Sequence, residues 1–112
     1  MGYNACMPYQ EKKFNLSELE GISKKSVEEH LGLYGGYVKN FNMMSALFEE
    51  LTIDPEMYAH AIAELRRRRS FEFGGMRLHE YYFPQFEDGS TPLNANGVFA
   101  KALSKHFGSS EN

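Results

Sequence analysis

The sequence predicts an all-α fold: a long antiparallel helical hairpin followed by a short C-terminal helix. Three observations predict it. Apolar and aromatic residues recur at spacings of three and four in two long stretches, Val27, His30, Tyr34, Tyr37 and Phe41 in one and Gly75, Met76, His79, Tyr82 and Phe83, together with Glu72, in the other; this is the period of one helix face. Between them, Thr52-Ile-Asp-Pro-Glu56 breaks the pattern, with an aspartate able to cap and a proline suited to the first helical position. A third pattern of Val98, Phe99, Ala102, Leu103 and Phe107 ends at Gly108, the residue type that commonly terminates helices.

Residues 1–21 carry Pro8, scattered charge and little period, so they read as an extended N-terminal arm whose Phe14, Leu16 and Leu19 dock on the hairpin. Residues 22–112 are predicted to form the helical-hairpin domain, which carries the candidate histidines His30 and His79. The first helix is predicted from Ser23 to about Leu51: Ser23 and Ser26 both offer capping oxygens, Ser26-x-x-Glu29 has the form of a capping box, and Ile22 can act as a staple. The return helix is predicted from Pro55 to Phe83, capped by Asp54. Pro84 to Pro92 is dense in turn formers and reads as a loop. Asn94 or Asn96 is the predicted cap of the last helix, Val98 to Phe107, whose Lys101, Lys105 and His106 lie toward the C-terminal end, where the helix dipole favours cations.

The 112 residues, 42% hydrophobic and 14% aromatic, predict a single globular unit with a modest core. A net charge of −3 argues against a nucleic-acid or membrane-surface partner. Arg66 to Arg69 form a basic run, but four arginines within about one turn face all directions; they are expected to be a solvated face, pairing with Glu49, Glu50 or Glu64. The single cysteine, Cys6, excludes an intramolecular disulfide. No apolar run approaches the roughly 18 residues needed to span a bilayer, and no signal peptide opens the chain, so a cytoplasmic location is expected.

The candidate site centres on two histidines. Gly74 and Gly75 precede His79 within Phe71-Glu-Phe-Gly-Gly-Met-Arg-Leu-His79, and because each glycine costs a helix about 1 kcal/mol relative to alanine, the pair implies close approach by another group. His30 lies in a segment of the same design, with Gly35 and Gly36 downstream and aromatics beside them. The alternative is a pair of hydrogen-bonded core histidines. His60 falls on a different helix face from His79 at ~100° per residue.

These stretches resemble the iron/manganese superoxide dismutases. The resemblance rests on Ile22-Ser-Lys-Lys25, on His30 followed by Tyr37-Val-Lys-Asn40, on Ser70-Phe-Glu-Phe-Gly-Gly75 leading into His79-Glu-Tyr-Tyr-Phe83, and on the segment from Val98 to Gly108-Ser109. It implies that His30 and His79 are two of four protein ligands to one Fe or Mn ion, contributed by the family's N-terminal helical hairpin. The other two, an aspartate and a histidine beside a tryptophan, belong to a C-terminal α/β domain without counterpart here; the sequence contains no tryptophan. By position, Tyr37 corresponds to the tyrosine near the substrate entrance, although the family often has one more residue between it and the first ligand. Tyr34 stands where a gateway histidine often meets the partner subunit. Tyr82 would line the site, Phe83 stands where a tryptophan is common, and Gly75 falls where many iron enzymes have glutamine and the manganese type has glycine.

The implied function is the N-terminal half of a superoxide dismutase, an antioxidant oxidoreductase with superoxide as substrate, completed by a C-terminal domain or a complementary chain. The alternatives are a homo-oligomer that builds its site from the histidines of two chains, with Glu72 or Glu80, and a non-catalytic helical metal-binding or interaction module. Alone, the chain is expected to be inactive. Spacing adds one expectation of its own: His30 lies about 23 residues before the turn near Thr52–Asp54 and His79 about 25 after it, within about one turn of equal height at ~1.5 Å per residue. The rings should then approach to a few ångströms. The face carrying Tyr34, Tyr37, Phe71, Tyr82 and Phe83 is expected to be exposed and to recruit a partner.

Overall fold

Ser23 starts the first helix. Its backbone is extended (φ −68°, ψ 149°) and its Oγ accepts the N–H of Ser26 at 3.1 Å, so the cap is Ser23 and the box headed by Ser26 does not form. The computed structural model describes residues 7–89 and 91–109; Cys6 lies outside them. Helix α1 spans Lys24–Leu51 and ends at Thr52, whose N–H donates to the carbonyl of Phe48 at 3.1 Å.

Asp54 organises a turn where a helix start is expected. Its carboxylate accepts the N–H of Met57 and its carbonyl accepts the N–H of Tyr58, both at 3.1 Å. Helix α2, Ala59–Tyr82, therefore begins after Tyr58 (φ −102°, ψ 18°) and not at Pro55. It passes into a 3₁₀ turn, Phe83–Phe86, because Pro84 has no N–H to continue the ladder. Helix α3, Val98–Phe107, is capped by Gly97, which has no side chain to donate or accept. Asn94 acts one step earlier: its carboxamide oxygen accepts the N–H of Asn96 and its carbonyl that of Gly97. Gly108 closes α3 at φ 84°, a conformation that costs other residues about 1 kcal/mol or more.

Among the described residues the regular elements are all helical, apart from isolated bridges, Leu16 with Glu87 and Leu19 with Ile22. Aromatic and cation contacts join α1 and α2 along their length: Phe48 lies beneath Arg66 and Arg69, Phe41 meets Phe73, Tyr37 meets Phe71 and His30 meets His79. Tyr34, Val38, Met76 and Phe83 form the buried centre, with Tyr9, Phe14, Leu16, Leu31, Tyr37 and Phe41 packed around it. No Cα of α3 comes within 8 Å of a Cα in α1 or α2. The radius of gyration is accordingly 20.4 Å, against about 13 Å for a compact chain of this length. Among the described residues, no helix is long and apolar enough to cross a membrane.

The face expected to be exposed is divided by the arm. Phe14 packs on Tyr34 and Phe83, leaving them 0% and 2% exposed, whereas Phe71 remains 56% exposed. The arginine run is also more structured than expected. Arg67 pairs with Glu64, as the sequence suggests, but Arg68 pairs with buried Glu72, and Arg66 and Arg69 cover Phe48.

Candidate functional site

Helices α1 and α2 bring His30 and His79 together edge to face, with ring centroids 4.8 Å apart and planes at 76°. Both rings are half-buried. Nδ1 of His79 lies 2.6 Å from the carbonyl oxygen of Gly75, one turn earlier in the same helix. A carbonyl only accepts, so Nδ1 carries the proton and the lone pair of the neutral ring is on Nε2. Burial lowers the pKa of His30 below its ordinary value, and the adjacent His79 lowers it further. The shift favours the neutral ring, the form in which imidazole binds metals.

Aromatic rings enclose the pair. Tyr34 lies nearly parallel to His79, at 24° and 6.1 Å, and Tyr37 is 5.3 Å from the same imidazole. Tyr82 and Phe83 each stand 4.9 Å from His30. The ring of Tyr37 also crosses Gly75, where any Cβ would overlap it; this is a close approach of the kind the glycine pair implies. Gly74 has nothing within 4 Å of its absent Cβ. A cavity of about 170 Å³ adjoins His30, walled by Leu16 and Leu19 of the arm and by Ile22, Tyr82, Phe83 and Phe86.

One expected position changes. Tyr34 is buried inside the chain and its hydroxyl accepts the N–H of Lys12 at 2.9 Å, so it is not at a surface where a partner subunit could meet it. Burial raises its pKa, countered in part by the Lys12 hydrogen bond.

Sequence reasoning named Glu80 only as a possible ligand shared between two chains, and missed the arm residues that hold it. Glu80 is 5% exposed; its carboxylate accepts from the hydroxyl of Tyr9 at 3.0 and 3.1 Å, lies 2.9 Å from Nζ of Lys12 and 3.6 Å from Arg77. The signal was present in the spacing. Glu72, Met76 and Glu80 of α2, with Phe83 just beyond it, form a buried line, and a carboxylate on such a line needs a cation or donor from elsewhere in the chain. Glu72 finds Arg68, at 2.7 and 2.8 Å, and Asn40.

The fold and the site together define a helical protein with a two-imidazole centre between its long helices. No protein family, curated protein or solved structure matched the chain. Among the described residues, no group of three or more His, Cys, Asp or Glu side chains converges as a metal-ligand set. The donors present fit at most half a site, the two nitrogens that His30 and His79 can offer to an ion such as iron or manganese.

Proposed function

We propose that this chain is the two-histidine half of a superoxide dismutase of the iron/manganese type. In this reading α1 and α2 are the family's antiparallel helical hairpin, and a C-terminal domain or companion chain supplies the remaining two ligands. The observation that carries it is the 4.8 Å approach of His30 and His79 from separate helices, with the tautomer of His79 set by the Gly75 carbonyl. His30 and His79 would hold the ion through neutral nitrogens. When bound, an Fe or Mn ion supplies one-electron cycling between divalent and trivalent states, by which two superoxide anions and two protons become dioxygen and hydrogen peroxide. The chain's own residues orient and exclude: Gly75 aims His79, while Tyr37, Tyr82 and Phe83 keep water from the flanks of the imidazoles. Tyr37, only half-buried, is the ring that this reading assigns to the substrate entrance. A cytoplasmic location belongs to this reading, as is usual for a chain with a single cysteine.

A second reading is favoured by one observation, the absence of a third converging ligand among the described residues: a non-catalytic helical module that binds metal weakly or serves only as an interaction surface. The deciding experiment is metal retention and superoxide removal by the chain mixed with a C-terminal dismutase domain supplying aspartate and histidine ligands. Under the first reading, the mixture retains Mn or Fe and removes superoxide, and His30→Ala or His79→Ala abolishes both with helicity retained. Binding that is indifferent to both substitutions would eliminate it.

A further inference from the structure

The arm crosses both helices beside the histidines and is fastened there by a small set of polar contacts. Tyr9 is clamped at its backbone, where its N–H donates to the Asn42 carboxamide oxygen at 2.7 Å and its carbonyl accepts from Asn42 Nδ2 at 2.9 Å. At its other end, the Tyr9 hydroxyl donates to Glu80. Lys12 reaches both helices: its amide donates to the hydroxyl of Tyr34 on α1, and its ammonium lies 2.9 Å from Glu80 on α2. Tyr34 is the ring that lies along His79, and Glu80 is the residue after His79 in the chain. Phe14 then covers Tyr34 and Phe83, and Phe83 packs on His30. The arm touches the residues that flank both imidazoles.

We propose that residues 9–14 form a positioning strap for the His30–His79 pair, with Tyr9 and Lys12 as positioning residues acting through Glu80 and Tyr34. The physical basis is the burial of Glu80. Its side chain is 1% exposed, and without the arm its charge would keep only Arg77, at 3.6 Å. Without its two arm partners the carboxylate turns toward water or new donors, and the last turns of α2, which carry His79, shift with it. Releasing the Lys12 amide frees Tyr34 to rotate away from the imidazole. The strap thus converts an ion pair remote from the ring nitrogens into a fixed distance between them.

The proposal rests on the two-imidazole reading of the site, and its test separates the two. Tyr9→Phe, Lys12→Met and the double variant are compared with wild type by far-ultraviolet circular dichroism, by nuclear Overhauser contacts between the His30 and His79 ring protons, and by titration with Co²⁺. Lys12→Arg, which keeps the cation, serves as the rescue. The expected result is unchanged helicity, weakened ring contacts and ~10–100-fold weaker Co²⁺ binding in the double variant, the range typical of outer-shell losses. Lys12→Arg should remain near wild type. Preserved ring contacts in the double variant would overturn the strap, as would equal damage from Lys12→Arg and Lys12→Met. If wild type fails to bind Co²⁺, the metal reading weakens, but the metal-free ring contacts still decide the strap. Should the double variant lose helicity, Tyr9→Phe alone decides it on the same contacts.

Discussion

The ring of Tyr37 lies across Gly75, in the space where a side chain on residue 75 would begin. That ring also lies 6.1 Å from Phe71 and 5.3 Å from His79, so α1 meets α2 here through an aromatic ring set against bare backbone. The same glycine's carbonyl holds His79. A single position therefore governs both helix packing and imidazole orientation.

Opposite outcomes are expected for alanine at the two adjacent glycines. Gly74→Ala meets nothing within 4 Å and should stabilise the chain by about 0.5–1 kcal/mol through helix propensity. Gly75→Ala gains the same propensity but must displace Tyr37, and overpacking of this kind costs about 1–3 kcal/mol. Urea unfolding of both variants checks the pair; equal stabilisation would mean that Tyr37 moves aside freely.

Capping at the start of α1 gives a second contrast. Ser23 holds the N–H of Ser26, so Ser23→Ala should cost about 1 kcal/mol, whereas Ser26→Ala, which loses only an exposed hydroxyl contact, should cost a few tenths. Thermal melts of the two variants rank them. The reverse order would restore the box headed by Ser26.

Stability should fall at alkaline pH. Lys12 is raised above its ordinary 10.5, first by its hydrogen bond to Glu80 and then by that carboxylate's charge, with Tyr9 adding and Arg77 opposing. Tyr34 is raised above 10.0 by burial, to which the charges of Glu80, Tyr9 and Glu11 add and against which the Lys12 amide works. A group raised on folding stabilises fully below its unfolded pKa and loses that contribution as pH climbs through its folded value. The melting midpoint should hold steady from pH 8 to about pH 10 and drop above it, less steeply in Lys12→Met. A midpoint that stays level to about pH 11 in wild type would contradict this.

Helix α3 should drive association. Val98, Phe99 and Phe107 are 88%, 66% and 66% exposed, and no Cα of α3 lies within 8 Å of a Cα in either long helix; apolar surface presented in this way recruits a second molecule. Sedimentation at tens of micromolar, roughly where weak apolar interfaces form, should show species larger than a monomer, shifted toward monomer by Phe99→Ser with Phe107→Ser. A wild-type monomer under those conditions would refute it.

The helices were legible because their signals are local. The spacing of His30, Tyr34, Tyr37 and Phe41, the stop at Gly108 and the extent of α3 need only the helical period and a residue able to adopt positive φ. Element starts were less legible where neighbouring residues compete for the same role. Ser23 and Ser26 both offer an oxygen, and Asp54 can close a turn as readily as it caps a helix. Backbone context selected between them.

The sequence by itself determined that the chain is all-helical and that His30 and His79 stand at matching heights on two apolar stripes, because period and rise are properties of the helix alone. Only the tertiary structure decided what surrounds them. Lys12 and Glu80, like Tyr9 and Glu80, are far apart in the chain and lie side by side in the fold; a buried carboxylate needs donors, but nothing local says which segment brings them. The arm brought them, and in doing so it buried Tyr34 and Phe83 where the sequence pattern left an open face.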